Sequence, residues 1–322
     1  MLQNLPEAQL VILLNYFNHL WSNNLFPEEW STAIVLPFLK PYKPGQELSS
    51  YRPISLTSCL CKVMEKMVLV RLTVVLEKEK FIKPYQSGFK KLHSTLDPLV
   101  RFENAIQETF KTDQYLVAVF IDLEKAYDMV WRHLVLSTLK RLGLKGNLPK
   151  FIKNFLSNRK IKVRIGDFLS QDFLLENGLP QGSVLSCMLF SIIINSIFEG
   201  IHNITESLFC DDGLFWAVGD TLEDACAIIQ SALDKIEEWC NFHGPKISVV
   251  KTHFNIFTKN NVDRVPVITF NGSPLKRLDK VKYLGVTFDQ GLTWKAHIDN
   301  LVSQCNQPLQ MMRSVSRKKL GW

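Results

Sequence analysis

The sequence predicts an α+β fold, in which antiparallel strands and helices are mixed along one chain of 322 residues. The first indication is an unbroken apolar run, Tyr115–Ile121, which is typical of a buried strand and ends at Asp122. The second is a pair of short strands that flank the dipeptide Asp211-Asp212, with Asp212-Gly213 as a strong turn signal. The third is the apolar segment Val184–Phe198, which has the composition of a buried helix.

Composition limits the classes of protein to consider. A hydrophobic content of 46% excludes a disordered chain, and 322 residues usually form two or three subdomains. The net charge of +7 suits a polyanionic partner. The seven cysteines show no zinc-ligand spacing, so we expect reduced thiols. Val184–Phe198 is too short to span a bilayer and no secretory signal is visible, so we expect neither a membrane partner nor secretion.

Asp122 stands between the apolar strand and a predicted helix. Leu123, Ala126 and Val130 recur near the helical period, and Gly143 is placed to end the helix. Two interpretations of Asp122 are open on local grounds: an N-cap of this helix, or a carboxylate that binds a metal ion. The hairpin is equally ambiguous, because its Asp-Gly pair is explained by the turn alone.

A glycine-flanked loop, Gly178–Ser183, leads into the buried helix. Its glycines let the backbone approach a ligand closely, and the amide of Gln181 can hydrogen-bond a base or a sugar edge. An ordinary turn before a buried helix explains the same residues. The loop therefore indicates a nucleotide site only in combination with the two aspartate elements.

The order of these three parts resembles that of a reverse transcriptase. More narrowly, the chain resembles the polymerase region of a LINE-type (non-LTR), jockey-like retrotransposon. The similarity extends over nearly the whole chain, through the segments Phe26–Trp30, Ala33–Pro41, Tyr51–Leu56, Lys62–Lys66, Gln86–Lys90, Gly244–Ser248 and Lys282–Val286. The Tyr51–Leu56 and Tyr283–Val286 segments disfavour another lineage, such as an intron-encoded reverse transcriptase.

The resemblance implies a right-hand polymerase with an antiparallel-sheet palm, fingers of helices and strands, and a truncated helical thumb. Residues 1–115 would form the fingers and residues 116–290 the palm, with a helical insertion at about 132–177. Residues 291–322 would begin the thumb. We expect the complete thumb and the endonuclease of such elements to be absent from this chain.

The activity implied by the resemblance is RNA-directed DNA polymerisation. An RNA template, a DNA primer and deoxynucleoside triphosphates would be its partners, in the nucleus or the cytoplasm. The alternative is a catalytically decayed remnant that keeps the fold and binds RNA. The three aspartates favour the polymerase, whereas the short thumb favours the remnant.

By resemblance, two magnesium ions, with manganese as an alternative, would be held by Asp122, Asp211 and Asp212, and the backbone carbonyl of Leu123 would be a further ligand. Carboxylates suit magnesium, which retains water and takes few protein ligands. Lys251 would protonate the departing pyrophosphate as a general acid. A plain surface lysine is the open alternative for Lys251.

The family pattern also assigns residues that bind substrates. Tyr127 occupies the position of the steric gate that rejects a ribose 2′-hydroxyl, although a core aromatic is the alternative. The expected nucleotide-binding residues are Lys40, Arg52, Tyr127, Gln181 and Gly182. Primer and template would contact two segments, namely the strand with Lys160, Lys162 and Arg164 on one face, and the turn Tyr283, Leu284 and Gly285.

Overall fold

The computed structural model describes residues 4–262 and 264–319. The α-helices are α1 (Glu7–Asn23), α2 (Cys59–Lys78), α3 (Leu96–Lys111), α4 (Arg132–Arg141), α5 (Asn147–Leu156), α6 (Val184–Ile194), α7 (Leu222–His243) and α8 (Lys295–Lys319). The strands are β1 (Thr32–Leu39), β2 (Tyr51–Leu56), β3 (Tyr115–Ile121), β4 (Leu123–Glu124), β5 (Lys160–Ile165), β6 (Phe168–Leu169), β7 (Phe173–Leu174), β8 (Thr205–Phe209), β9 (Asp212–Gly219), β10 (Lys246–Ile247), β11 (His253–Phe257), β12 (Thr269–Phe270), β13 (Ser273–Pro274), β14 (Lys276–Arg277), β15 (Lys280–Tyr283) and β16 (Val286–Asp289).

The chain forms two compact units that are discontinuous in sequence. The first unit contains the segment up to Phe89 together with Glu124–Ile197 and Cys240–Lys246. The second unit contains Lys90–Leu123, Phe198–Trp239 and the segment from Ile247 onward. The assignment of fingers, palm and thumb to residues 1–115, 116–290 and 291–322 stays a prediction.

The first unit is built around a sheet of strand order β2-β1-β5-β6, with β7 paired to β5. Strands β1 and β2 are antiparallel, whereas β1 and β5 are parallel, with Thr32 opposite Lys160. Helix α6 is buried on all sides, as its continuous apolar sequence predicts. Buried Ser183 caps its N-terminus by accepting a hydrogen bond from the backbone N–H of Ser186.

The second unit is built around an antiparallel sheet of strand order β14-β11-β3-β9-β8, except for a parallel β14–β11 pair. The central strand β3 is buried almost throughout, as its apolar run predicts. Helix α3 covers one face of the sheet, because Leu99, Phe102, Ile106 and Phe110 recur at helical spacing and join the core. Phe102 lies at the centre of this core and contacts four rings, those of Phe120, Trp216, Phe257 and Phe288.

The predicted helix from Leu123 to Leu142 is wrong in its first half. Residues 123–124 form the short strand β4, and the helix begins only at Arg132. Lys125 has a left-handed backbone (φ 44°) and its carbonyl accepts hydrogen bonds from the N–H groups of Asp128 and Met129. An L-residue in this conformation interrupts a helix, so the helical spacing here comes from a turn followed by a separate helix.

The hairpin exists and its turn lies within the segment predicted between the two strands, but the turn is not made by Asp212-Gly213. Phe209 pairs with Asp212, so the two-residue loop is Cys210-Asp211, and Cys210 adopts a left-handed backbone (φ 61°). Gly213 lies within β9, where an added Cβ would come 3.3 Å from the Cβ of Ile121. The glycine therefore permits close packing of neighbouring strands and does not form the turn.

Two other helical predictions concern Val184–Phe198 and the C-terminal segment. The first is confirmed over Val184–Ile194. Helix α8 agrees with the second, although it begins at Lys295 and residues 320–322 lie outside the described part. Its side chains Ile298, Leu301 and Val302 are largely exposed. In the described ranges, no helix combines the length and the apolar character that crossing a bilayer requires.

Candidate active site

Three carboxylates meet at one end of the central strands of the second unit. Asp122 directly follows β3, and Asp212 is the first residue of β9. Because Ile121 is paired with Gly213 across antiparallel strands, Asp122 and Asp212 lie side by side as the next pair. Asp211 directly precedes Asp212 in the turn of the hairpin, so three acidic residues occupy one rim of the sheet.

The backbone of Asp122 is held by the segment that leads into β11. Its carbonyl accepts a hydrogen bond from the Ser248 N–H at 2.9 Å, and its N–H donates to Thr252 Oγ1 at 3.2 Å. Thr252 is fully buried, so its hydroxyl is a fixed anchor. The N-cap interpretation of Asp122 is wrong, because strand β4 and not a helix follows it.

Lys251 lies in the same segment and faces Asp122. Its Nζ is 2.9 Å from Asp122 Oδ2, with the two side chains 64% and 41% exposed. The carbonyl of Lys251 accepts a hydrogen bond from Nδ1 of His253 at 2.7 Å, and the His253 ring stacks on Phe120 at 5.4 Å. An ion pair this exposed contributes little to stability, so its consequence is the placement of a cation beside the carboxylates.

The carboxylates are electrostatically coupled. Desolvation first, and then the charges of Asp211 and Asp122, raise the pKa of Asp212 to about 6. Like charges at this rim therefore oppose full ionisation in the absence of a cation. A bound divalent cation would remove that repulsion.

The raised pKa of Asp212 predicts a pH-dependent stability of the protein without bound metal. A carboxyl whose pKa is higher in the folded state stabilises the fold fully below the unfolded value near 3.8, and loses this contribution as pH rises through about 6. The loss is small, because Asp212 is exposed and solvent screens these interactions. We expect Asp212→Asn to remove it. Thermal melting of both proteins in chelator between pH 4 and 7 measures it, and parallel pH profiles would contradict the assignment.

The donor set fits a hard divalent cation. Carboxylate oxygens are what magnesium and manganese prefer, and the mutual repulsion just described shows that the three aspartates share one electrostatic environment. In residues 4–262 and 264–319, no group of three or more His, Cys, Asp or Glu side chains is close enough together to hold a metal ion as it stands. The three aspartates therefore match magnesium in the chemistry of their donor atoms.

In the first unit, the Gln181-Gly182 loop is fixed on strand β2. The carbonyl of Gln181 accepts a hydrogen bond from the Ser55 N–H at 2.8 Å, and its side-chain Nε2 donates to Asp128 Oδ1 at 3.2 Å. Gly182 has φ 114° and lies so close to β2 that an added Cβ would come 2.6 Å from the Ser55 carbonyl oxygen. The close backbone approach predicted from the glycine is thus directed at the protein's own strand.

Tyr127 is held by the same loop and by helix α6. Its carbonyl accepts a hydrogen bond from the Leu179 N–H at 2.8 Å. Its ring stacks on buried Phe190, with centroids 5.1 Å apart and an interplanar angle of 20°. Tyr127 as a whole is half-buried, and its ring position is fixed by this stacking.

The two predicted phosphate-binding cations differ in their surroundings. Arg52 lies on β2 opposite Phe38 and is exposed. Lys40 directly follows β1, and its Nζ donates to the Ser49 carbonyl at 2.8 Å. Lys40 therefore closes the loop between β1 and β2, whereas the guanidinium of Arg52 is accessible to an anion.

Strand β5 carries the three predicted template-binding cations. Lys160 pairs with Glu28 at 3.0 Å and Lys162 pairs with Asp172 at 3.1 Å. Arg164 is exposed. The strand is confirmed over Lys160–Ile165, but two of its three cations already have an acidic partner.

Leu284 and Gly285 form the two-residue turn between β15 and β16, where Tyr283 pairs with Val286. Both turn residues have a positive φ, 46° and 91°. The Tyr283 side chain is only 4% exposed and belongs to the core of the second unit. A nucleic-acid contact of this segment is therefore proposed for the turn itself.

Sequence reasoning missed the buried Glu65 in helix α2. Its carboxylate accepts hydrogen bonds from the Ser183 hydroxyl, the Leu185 N–H and the Cys61 thiol. The fully buried Arg159 guanidinium provides compensating charge nearby. A signal was present, because Glu65 lies at helical spacing on an otherwise apolar, buried face of α2.

Arg132 was also missed. Its guanidinium donates hydrogen bonds to the carbonyls of Leu175, Asn177 and Gly178 and thereby fixes the start of the glycine-flanked loop. Desolvation is the main cause that lowers the pKa of Arg132 to about 10. Nothing in its local sequence distinguished it from a surface arginine.

Comparison with known proteins identifies the family. A family model described as reverse transcriptase (RNA-dependent DNA polymerase) matches residues 41–288. The probable RNA-directed DNA polymerase from transposon BS of Drosophila melanogaster is 29% identical, over 99% of this chain and 36% of the relative. The RNA-directed DNA polymerase from mobile element jockey of Drosophila funebris is 32% identical, over 92% of this chain and 33% of the relative. The chain thus spans about a third of the length of these relatives.

Solved structures agree on the fold. Apo telomerase from Candida tropicalis is similar with a TM-score of 0.55 and 12% identity, over 90% of this chain and 53% of that chain. Telomerase from the same organism in complex with a fragment of telomeric RNA is similar with a TM-score of 0.53 and 11% identity, over 88% and 48% of the two chains. These structures confirm the predicted polymerase fold, and members of this family generally use divalent metal ions. The chain belongs to the reverse transcriptase (RNA-dependent DNA polymerase) family, and its similarity to jockey-like, non-LTR elements is confirmed.

Proposed function

We propose that this chain is the polymerase region of a non-LTR retrotransposon and extends a DNA primer on an RNA template. The observation that carries the proposal is the register of β3 and β9: Ile121 pairs with Gly213, so Asp122 at the end of β3 neighbours Asp212 at the start of β9, and Asp211 lies in the β8–β9 turn. One structurally similar telomerase is in complex with a fragment of telomeric RNA, which supports an RNA template here. We propose action in the nucleus, in the cytoplasm or in both.

Asp122, Asp211 and Asp212 would hold two magnesium ions, or manganese in their place, and the carbonyl of Leu123 would add a ligand. When bound, such ions activate the primer 3′-hydroxyl and neutralise the triphosphate. The protein's own contribution is a fixed backbone at Asp122, which Thr252 and Ser248 hold by hydrogen bonds.

Lys251 would carry the proton for the departing pyrophosphate on its Nζ. In the described structure this group is paired with Asp122 Oδ2, so its proton already lies beside the carboxylates. A lysine ammonium retains its charge at neutral pH and offers three donors to phosphate oxygens. We propose that Lys251 exchanges its carboxylate partner for a phosphate oxygen during the reaction.

In the first unit, Arg52 and Lys40 would bind the triphosphate, whereas Gln181 and Gly182 would position the nucleotide. The exposed guanidinium of Arg52 supports this role more strongly than Lys40, whose Nζ is already bonded to the Ser49 carbonyl. Primer and template would contact Arg164 and the turn Leu284-Gly285. Lys160 and Lys162 would contact the nucleic acid only if their ion pairs with acidic side chains break.

The direct test is extension of an oligo(dT) primer on poly(rA) with magnesium by the purified chain. An Asp211→Ala/Asp212→Ala variant serves as the inactive control. Extension by the parent and none by the variant supports the proposal. Absence of extension by both, with salt-sensitive RNA binding retained, would overturn it in favour of a decayed RNA-binding remnant.

Tyr127 supplies a specificity prediction. We expect Tyr127→Ala to increase incorporation of ribonucleotides at least about ten-fold relative to deoxynucleotides, because the ring that would exclude a 2′-hydroxyl is removed. Tyr127→Phe is the matched control, since it keeps the ring stacked on Phe190. Competitive primer extension measures the ratio. Equal sugar selectivity in Tyr127→Ala and the parent would remove Tyr127 from the gate.

A further inference from the structure

The side chain of Tyr283 connects two hairpins of the second unit. It projects from β15, next to the turn Leu284-Gly285, and its ring meets Phe120 edge-on with centroids 5.7 Å apart. Phe120 lies on β3 two residues before Asp122. The ring of Tyr283 therefore contacts β3, the strand that Asp122 directly follows.

The hydroxyl of Tyr283 contacts the aspartate hairpin, which is formed by β8 and β9 and carries Asp211 and Asp212 at its turn. It lies 3.3 Å from Oγ of Ser207, and either hydroxyl can donate this hydrogen bond. Ser207 lies on β8 opposite Leu214 of β9, close to the pair formed by Phe209 and Asp212. The side chains of Tyr283 and Ser207 are buried, at 4% and 1% exposure, so water does not compete for this bond.

Electrostatics agree with this geometry. Burial is the largest cause that raises the pKa of Tyr283; the hydrogen bond with Ser207 lowers it, and the charge of Asp212 raises it. The net shift is upward, so the hydroxyl stays protonated at neutral pH.

We infer that Tyr283 is a positioning residue, which fixes the turn Leu284-Gly285 relative to the aspartate hairpin β8–β9 through its hydrogen bond to Ser207. The inference rests on the proposed function, because the turn would hold the primer end. A primer 3′-hydroxyl must meet the carboxylate rim within a fraction of an ångström for in-line attack. A buried side-chain link between the two hairpins is suited to maintain that distance.

The first experiment measures the link without requiring activity. Hydrogen–deuterium exchange of the β8–β9 amides is compared in the parent, Tyr283→Phe, Ser207→Ala and the double variant. Loss of one buried hydrogen bond is expected to speed exchange about three- to ten-fold in each single variant, with no further increase in the double variant. Thr109→Val is the matched control, since it removes another buried hydroxyl from the second unit, on helix α3.

The second experiment measures the consequence for synthesis. Tyr283→Phe and Ser207→Ala should each lower kcat about three- to ten-fold and leave the KM for the deoxynucleotide and the primer–template Kd unchanged. The double variant should match either single variant. Thr109→Val should keep the parental kcat even where its melting temperature falls as far.

Three results would overturn the inference: exchange no faster than in Thr109→Val, effects of the single variants that multiply in the double variant, or a kcat that follows melting temperature across all variants. A parent chain that extends no primer would defeat the proposed polymerase function. In that case the exchange experiment still decides whether Tyr283 and Ser207 connect the two hairpins.

Discussion

Replacing Asp211 with asparagine is expected to lower primer extension at least about a thousand-fold, because an amide is a poor ligand where a metal ion must stabilise developing charge. The fold should survive, since Asp211 lies exposed in a two-residue turn. Removal of its charge also removes one cause of the raised pKa of Asp212. Single-turnover extension and thermal melting measure the two effects separately.

Asp220→Asn is the matched control for this substitution. Asp220 follows the opposite end of β9 and accepts a hydrogen bond from Gln114 Nε2 at 2.6 Å, far along the strand from the carboxylate rim. We expect it to keep nearly full activity. Extension by Asp211→Asn within ten-fold of the parent would exclude Asp211 from metal binding.

Replacing Gly182 with alanine is expected to destabilise the protein by roughly 3 kcal/mol or more, because backbone strain and a steric clash add at one position. The left-handed φ of 114° is unfavourable for alanine, and its Cβ would lie 2.6 Å from the Ser55 carbonyl oxygen. The clash is with backbone, which cannot rotate away. Relief would require the Gln181-Gly182 loop to move off β2 and break the Ser55–Gln181 hydrogen bond.

Gly166→Ala separates the two causes. Gly166 also has a left-handed φ, 59°, but an added Cβ there would meet open space. The expected loss is therefore about 1–2 kcal/mol, from conformation alone. Denaturant unfolding of both variants measures the difference. Equal losses would show that the loop accommodates a side chain next to β2, and the steric argument for Gly182 would then be wrong.

The strands and buried helices of this protein could be predicted from its sequence, because they depend on local apolar patterns. The run Tyr115–Ile121 is β3 throughout, and α6 lies inside the apolar segment predicted for it. The short segment after Asp122 could not be predicted, since its apparent helical spacing is overridden by the left-handed Lys125 and by hydrogen bonds from a distant loop. Local periodicity carries no information about such partners.

The candidate site, like the fold, has some features that could be predicted from the sequence and others that could not. Its aspartates were predictable because their order along the chain matches a family. The partners of those residues were not, because Thr252 and Lys251 meet Asp122 only after folding, across about 130 residues. Tyr283 has the same limit. The pattern of β15 predicts that exposed and buried side chains alternate, but it does not predict that Tyr283 contacts Ser207 and Phe120.

The strand order of the second unit also determines when the site can form during synthesis. Both neighbours of β3 in the sheet, β9 and β11, come later in the chain, and the contact between Asp122 and Thr252 spans 130 positions. At roughly 5–20 residues per second, a ribosome needs about 6 to 26 seconds to add that much chain. Until β9 has been made, both hydrogen-bonding edges of β3 remain unpaired, and until β11 has been made one of them still is. We therefore expect Asp122 to reach its hydrogen-bond partners only late in synthesis, after the whole of the sheet's centre has been made.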